Sequence, residues 1–272
     1  MAITTLDGAL SGMQYPRFFT KAVSGTLVAG RPFSSWGLAG APGAGGYSVA
    51  LNGAGYSNSD AGSIPFTNPG AGNSYLSRLI GTCSQAGMLV LCDRIHQCGG
   101  FTITSTGAQA ITTGTLNARS ADATSNGEGV LAGVEISATT GAGTPTITLN
   151  YTNQAGTTGR TATNTVPTVA SSIAGSFYPI GLQAGDSGIR AVTNASGGAL
   201  TLSATWTSGT MNLVFYRPIA AVPITGALVP GELDALTSGF PRIIDNSCLF
   251  FLFYPNTTTT SNIHGQINWS QG

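Results

Sequence analysis

Apolar and polar residues alternate in short runs over most of the chain beyond residue 87, and each run stops at Gly, Asn, Ser or Pro. In 146–151, Thr-Ile-Thr-Leu-Asn-Tyr, large apolar side chains fall at every second position, the period of a half-buried strand. Asn153-Gln154-Ala155-Gly156 then supplies turn residues, and 157–164 reads as the returning arm of a hairpin. By the same logic 200–206 and 211–216 form a second hairpin across Thr207-Ser208-Gly209-Thr210. Further strands are expected at 88–91, 101–104, 130–137 and 188–192. Short strands at this spacing predict a mainly β chain with a β-sandwich or jelly-roll-like domain.

Helical signals are few and short. Residues 3–14 fit a short helix capped by Thr4 or Thr5. Ser74 is an N-cap candidate ahead of Leu76, Leu79 and Ile80 at helical spacing, which predicts a helix over 74–80. A helical patch is expected at 231–236. The tracts 37–46 and 52–62 are rich in Gly, Ala, Asn and Ser and read as loops. Near the end, 249–254 is strongly apolar, 256–260 is a polar loop, and 263–269 alternates again. The expected organisation is a loop-rich N-terminal docking region over 1–87, a β-sandwich over 88–222, and a C-terminal β segment over 223–272 that packs back on the N-terminal region.

Composition changes this picture by indicating what the surface is for. Only 7% of the 272 residues are charged and 39 are Gly, with a formal net charge of zero, whereas average proteins carry about 25% charged residues. A surface so poor in charge favours association over free solution, so the chain reads as a subunit of an assembly. No apolar run approaches the ~18 residues of a membrane helix, and MAITTLDGAL lacks the basic and apolar regions of a secretory signal. Folding in a cytoplasm, without membrane contact, is expected.

The candidate chemistry is sparse. Cys83, Cys92, Cys98 and Cys248 are too few and too unevenly spaced for a disulfide framework. Cys92, His96 and Cys98 are ligand types for zinc, but their spacing is not that of a zinc knuckle; no metal and no cofactor is expected. Asp122, Glu128 and Glu135 are the acids that could pair as glycosidase carboxylates, against a plainer reading of two solvated loop acids and one outward-facing strand residue. His96 and His264 stand in no nucleophile setting, and neither a GxSxG elbow nor a GxxxxGK[ST] phosphate loop occurs. Ten Arg and Lys residues cannot make a broad basic face for nucleic acid. The chain is therefore expected not to be an enzyme. One local charge surplus remains: Arg17, Lys21 and Arg31 against Asp7, interleaved with Tyr15, Phe18, Phe19, Phe33 and Trp36. These residues read either as an anchoring set for a partner surface or as core aromatics with solvated cations. Trp206 and Tyr216 read either as a sugar platform or as core.

From residue 91 to residue 220 the order of several segments resembles a recurrent module in structural proteins of tailed bacteriophages. The segments are Cys92-Asp93-Arg94, the run 102–109 (TITSTGAQ), the run 151–161 (YTNQAGTTGRT), the run 182–190 (LQAGDSGIR) and Tyr216-Arg217-Pro218. None is a catalytic signature. The resemblance implies a virion component, most like a capsid decoration (cement) protein. Its partners would be the major capsid protein and further copies of itself, in a trimer if it sits on a local three-fold axis. A tail, fibre or baseplate component, or a carbohydrate-binding sandwich, is the alternative.

Overall fold

The computed structural model describes all residues except 1, 2, 4, 24, 117–118, 122–125 and 194–198. The described chain is almost entirely antiparallel β structure, with two short helices, Leu6–Ser11 and Ala235–Ser238. It divides into two compact units, the first made of residues 1–46, 57–93 and 218–272 and the second of 47–56 and 94–217. The expected boundaries of 88 and 222 thus fall within strands: the chain passes between units inside Gly87–Cys98 and inside Thr210–Ile224.

The first unit is a two-layer sandwich. One layer runs in the order Gly231–Asp234, Ser74–Cys83, Asn262–Gln271, Arg17–Ala22, Ala39–Ala41, with Arg242–Ile243 also on Ser74–Cys83. The C-terminal strand Asn262–Gln271 therefore lies between two N-terminal ones. In the other layer Leu249–Pro255 pairs with 87–93 and with Phe33–Ser34. Phe19 from the first layer meets Phe251 from the second with ring centroids 4.4 Å apart. Leu79, Leu89, Ile263 and Ile267 complete the buried interior, each full burial contributing about 1.5–3 kcal/mol. Trp36 is fully buried, donates from Nε1 to the Gly46 carbonyl at 3.0 Å, and packs so close to Gly45 that a Cβ there would overlap the indole. The Gly-rich 37–46 tract is thus an ordered seat for one Trp.

The second unit has its own core, centred on Val134, Ile147, Leu149, Tyr151, Tyr178, Leu200, Trp206 and Phe215. Leu131–Ala138 pairs with Phe177–Ile180 on one side and with 210–216 on the other. A second sheet runs Gln109–Ala110, Ala199–Leu202, Ile147–Asn153, Ile189–Val192, Gly114–Thr115. The expected hairpin is present, with Tyr151 opposite Arg160 and Thr148 opposite Thr163.

Several local expectations are corrected. Residues 74–80 are not a helix but part of the strand Ser74–Cys83; nine residues of Asn262–Gln271 pair with it, and this long-range ladder overrides the local cap signal. Residues 231–234 are strand, and the helical turn begins only at Ala235, capped by Asp234. The expected second hairpin does not form: Ala199–Leu202 pairs with Ile147–Asn153, while 210–216 pairs with Leu131–Ala138. Residues 101–104 lie outside the strands. At the start of the chain, Thr5 caps the helix, its hydroxyl accepting from Gly8 N at 3.0 Å; Thr4 lies outside the described residues.

Candidate functional site

The strand Arg17–Ala22 alternates, and alternation separates the residues expected to act together. Phe19 and Lys21 point into the first unit, 3% and 2% exposed, while Phe18 is 70% exposed and Arg17 is also exposed. Lys21 Nζ donates to the Leu38 and Gly43 carbonyls at 3.2 and 3.0 Å, and burial lowers its pKa to about 8. Arg31 and Trp36 are buried as well. Of Arg17, Lys21, Arg31, Phe18, Phe19 and Trp36, only Arg17 and Phe18 reach the surface, so the three cations present no shared charged face.

The exposed surface is apolar instead. Ten large hydrophobic residues are exposed among the described residues, and nine of them belong to the first unit: Leu6, Leu10, Met13, Tyr15, Phe18, Met88, Leu228, Val229 and Leu236. Only Val169 belongs to the second. Next to Phe18, the outer side of the sheet holds a groove of about 380 Å³ lined by Thr20, Ala41, Ile80, Thr82, His264 and Gln266. In it Thr20 Oγ1 and His264 Nδ1 are 2.7 Å apart. A second cavity, about 450 Å³, lies between the two helices, lined by Leu6, Ala9, Tyr75, Leu236 and Phe240. Sequence reasoning noticed Tyr15 and Phe18 but missed Leu6, Leu10 and Leu236. Two leucines four residues apart on a predicted helix were the available signal.

The acidic residues are engaged in structure. Glu135 was expected to face outward but is fully buried, paired with Arg94 at 2.7 Å and accepting from Tyr47 OH at 3.0 Å. Its inward direction follows from position: Val134 and Ile136 are buried too, because Leu131–Ala138 has neighbours on both edges and is covered on both faces. Gln97 and Asn212 side chains both donate to the Tyr47 carbonyl, at 3.2 and 3.1 Å. Segment 47–56 is thereby tied into the second unit, and Gly53, at φ +75°, lies so near Gln97 and His96 that a Cβ would collide with them. Glu128 accepts from Ser187 Oγ; Asp122 lies outside the described residues. No two of these acids form a facing pair among the described residues.

A second polar cluster draws together two of the segments that carry the phage resemblance. Asp186 accepts from Tyr151 OH and from Arg160 Nε at 2.9 Å through one oxygen, and from Asn153 Nδ2 at 2.7 Å through the other. Gln183 N donates to Tyr151 OH at 2.9 Å, and Arg160 also reaches the Ala184 carbonyl at 3.0 Å. Desolvation pushes the Asp186 carboxyl up, but the hydrogen bonds from Arg160, Tyr151 and Asn153 outweigh it and hold it below the ordinary value. Burial, then the bond to Asp186, pushes Tyr151 up to about 12. The cluster is a latch that fastens the 182–188 turn to the hairpin, with its acid and base saturated.

His96 Nε2 lies 3.0 Å from the Asn52 carbonyl. The thiols of Cys83 and Cys98 are buried and pushed up to about 12, opposite to what a metal-ligating thiolate requires. Among the described residues no three His, Cys, Asp or Glu side chains gather as a metal site. Trp206 and Tyr216 are 0% and 3% exposed, so they form core and not a sugar platform.

The sequence matches no protein-family model and no curated protein. Among the solved structures that align with it are particles of infectious bursal disease virus. The VP2 subviral particle of infectious bursal disease virus aligns over 96% of this chain and 81% of that one, at 10% identity and a TM-score of 0.23. The T13 particle of the same virus aligns over 96% and 78%, at 10% identity and 0.25, and its Gx strain over 95% and 81%, at 9% and 0.22. TM-scores of this size do not establish a common fold.

Proposed function

We propose that the chain is a non-enzymatic virion structural protein of a tailed bacteriophage, a capsid decoration subunit that docks on the major capsid protein through its first unit. The observation that carries the reading is the one-sided surface: nine of the ten exposed large hydrophobic residues lie in that unit. An excess of exposed large apolar side chains on one unit is consistent with a surface that a partner covers. The resemblance of residues 91–220 to phage structural modules supports the same reading, as does a charged fraction of 7%. A decoration subunit works through binding summed over many copies, which fits a chain in which Glu128, Glu135 and Asp186 are held in structural hydrogen bonds or ion pairs.

The test is occupancy of recombinant protein on undecorated particles. Leu6→Ser, Leu10→Ser and Leu236→Ser combined should lower occupancy at least tenfold, with little dependence on salt because the contact is apolar. Equal occupancy of wild type and triple variant would remove the first unit from the docking role. Binding to tail assemblies alone would favour a tail, fibre or baseplate component.

A further inference from the structure

We infer that the outer side of the six-stranded sheet in the first unit binds a neutral oligosaccharide, an extended chain of sugars laid along the C-terminal strand. The inference goes beyond the virion reading and stands without it. Alternation along Asn262–Gln271 turns His264, Gln266 and Asn268 outward while Ile263 and Ile267 are buried. The three outward residues floor two adjoining hollows. His264 and Gln266 line the groove of about 380 Å³ already described, and Asn268 lines a second of about 240 Å³ with Met13, Gln14, Tyr15 and Pro16. Gln266 Nε2 donates to Asn268 Oδ1 at 2.6 Å, which puts both side chains on one side of the sheet and joins the hollows. Over four steps of about 3.3 Å the row is about 13 Å long. Each hollow has one exposed ring on the same flank of the row. Phe18, opposite Gln266 in register, is 70% exposed, and Tyr15, beside Asn268, is 85% exposed.

The chemistry of the row selects a sugar. A hydroxyl both donates and accepts, and the row offers both functions at fixed places. The bond between Gln266 and Asn268 leaves Gln266 Oε1 as an acceptor and Asn268 Nδ2 as a donor. Thr20 Oγ1, 2.7 Å from His264 Nδ1, leaves the Nε2 of that ring for a ligand. The two exposed rings supply flat apolar surfaces for the C–H faces of the sugars. Charge excludes ionic ligands, because neither hollow is lined by Asp, Glu, Lys or Arg. Arg78, Glu232 and Asp234 share the outer side, in register with Ile80 and Asn268, but they are engaged with their own neighbours. Arg78 Nε is bonded to Glu232 at 2.6 Å, and Asp234 Oδ1 accepts from Thr237 N at 2.9 Å. A single-stranded nucleic acid would stack on the rings but find no cation in the hollows for its phosphates. An extended peptide adds to a free strand edge, whereas Asn262–Gln271 is paired on both sides, so only side chains are left there to read a ligand.

The test is calorimetric titration of the full chain, without particles, with cellohexaose, maltohexaose and chitohexaose. Titration to about 10 mM sugar captures dissociation constants of about 1 mM or tighter. At least one of the three should bind saturably, with affinity independent of salt. Phe18→Ala and Tyr15→Ala should each weaken binding about tenfold, the scale of a lost aromatic anchor, with unchanged circular dichroism. Gln266→Ala should weaken it as well, and Leu228→Ser, outside both hollows, should bind as wild type does. If one variant fails to fold, the others carry the comparison. Absence of saturable binding by all three sugars overturns the inference, as does binding that survives Tyr15→Ala and Phe18→Ala combined, or a preference for a sulfated hexasaccharide. Loss of particle occupancy in Phe18→Ala while no sugar binds makes the face a protein contact and overturns it too. Sugar binding by a chain that never occupies particles would uphold the inference and remove the virion reading.

Discussion

The two units solve the same folding problem with opposite surfaces. The second unit buries a full ion pair, Arg94 with Glu135, and among the described residues exposes one large hydrophobic residue, Val169. The first exposes nine, and its clearest ion pair, Arg78 with Glu232, stands about half exposed at the surface. An exposed pair of that kind contributes little, and the exposed apolar groups contribute nothing to the fold of an isolated chain. The difference is that apolar side chains left in solvent are concentrated in the first unit, the surface on which the proposed docking rests.

The largest effect should come from breaking the buried pair. Glu135→Ala leaves Arg94 buried without its carboxylate and should cost about 3–5 kcal/mol, read by urea unfolding. Hydrogen exchange should then accelerate in Leu131–Ala138 before Asn262–Gln271. Simultaneous loss of protection in both would mean that the two units unfold as one, and would blunt the comparison.

Next in size is the latch. Asp186→Ala removes the acceptor of three donors and should cost about 2–3 kcal/mol, more than Arg160→Ala, whose side chain is 21% exposed. Because the folded Asp186 carboxyl lies below its ordinary value, its contribution is complete above about pH 4 and is lost as pH falls through the lower folded value. Acid unfolding of Asp186→Asn should accordingly be shallower than wild type below pH 4. Identical acid limbs would show that the cluster orders the turn without stabilising the fold.

In the first unit Lys21 gives a pH signature of the same sense in a higher window. Its folded pKa of about 8 lies below the ordinary 10.5, so between those values the unfolded chain holds the extra proton and stability rises with pH. Cys83 and Cys98, pushed up from 9.0 to about 12, act the other way above pH 9. The melting temperature of wild type minus that of Lys21→Met, followed from pH 7.5 to 10, should therefore climb. A flat difference would place the Lys21 ammonium in water.

The smallest effect sharpens the contrast most. Leu6→Ser and Leu236→Ser should each leave stability within about 0.5 kcal/mol while raising solubility in salt, and Val169→Ser should change neither property. A loss of several kcal/mol at Leu6 would make that surface part of the fold.

What could be read from the sequence was what local pattern decides. The hairpin 146–164 was legible because its turn and both arms lie within twenty residues, whereas in RFFTKA period two sets Phe19 with two cations, so the inward direction of Phe19 and Lys21 ran against the charge pattern. The strand Ser74–Cys83 was illegible because its main partner begins at Asn262, and a local cap signal had no visible competitor. Glu135 hid for the same reason, its counter-charge being 41 positions away at Arg94. Segment 182–190 stood out mainly by resemblance; the Asp186 latch supplies the physical reason that it belongs with the hairpin.

The position of Lys21 has a practical consequence. It is the sole lysine of the chain and is 2% exposed, so the folded protein offers no lysine amine to ester reagents. Amine-directed cross-linking of any assembly containing this chain would pass over its lysine side chain and understate its neighbours. Carboxylate-directed or photo-activated chemistry would be needed to map them. Conversely, the appearance of a labelled Lys21 would report unfolding of the first unit.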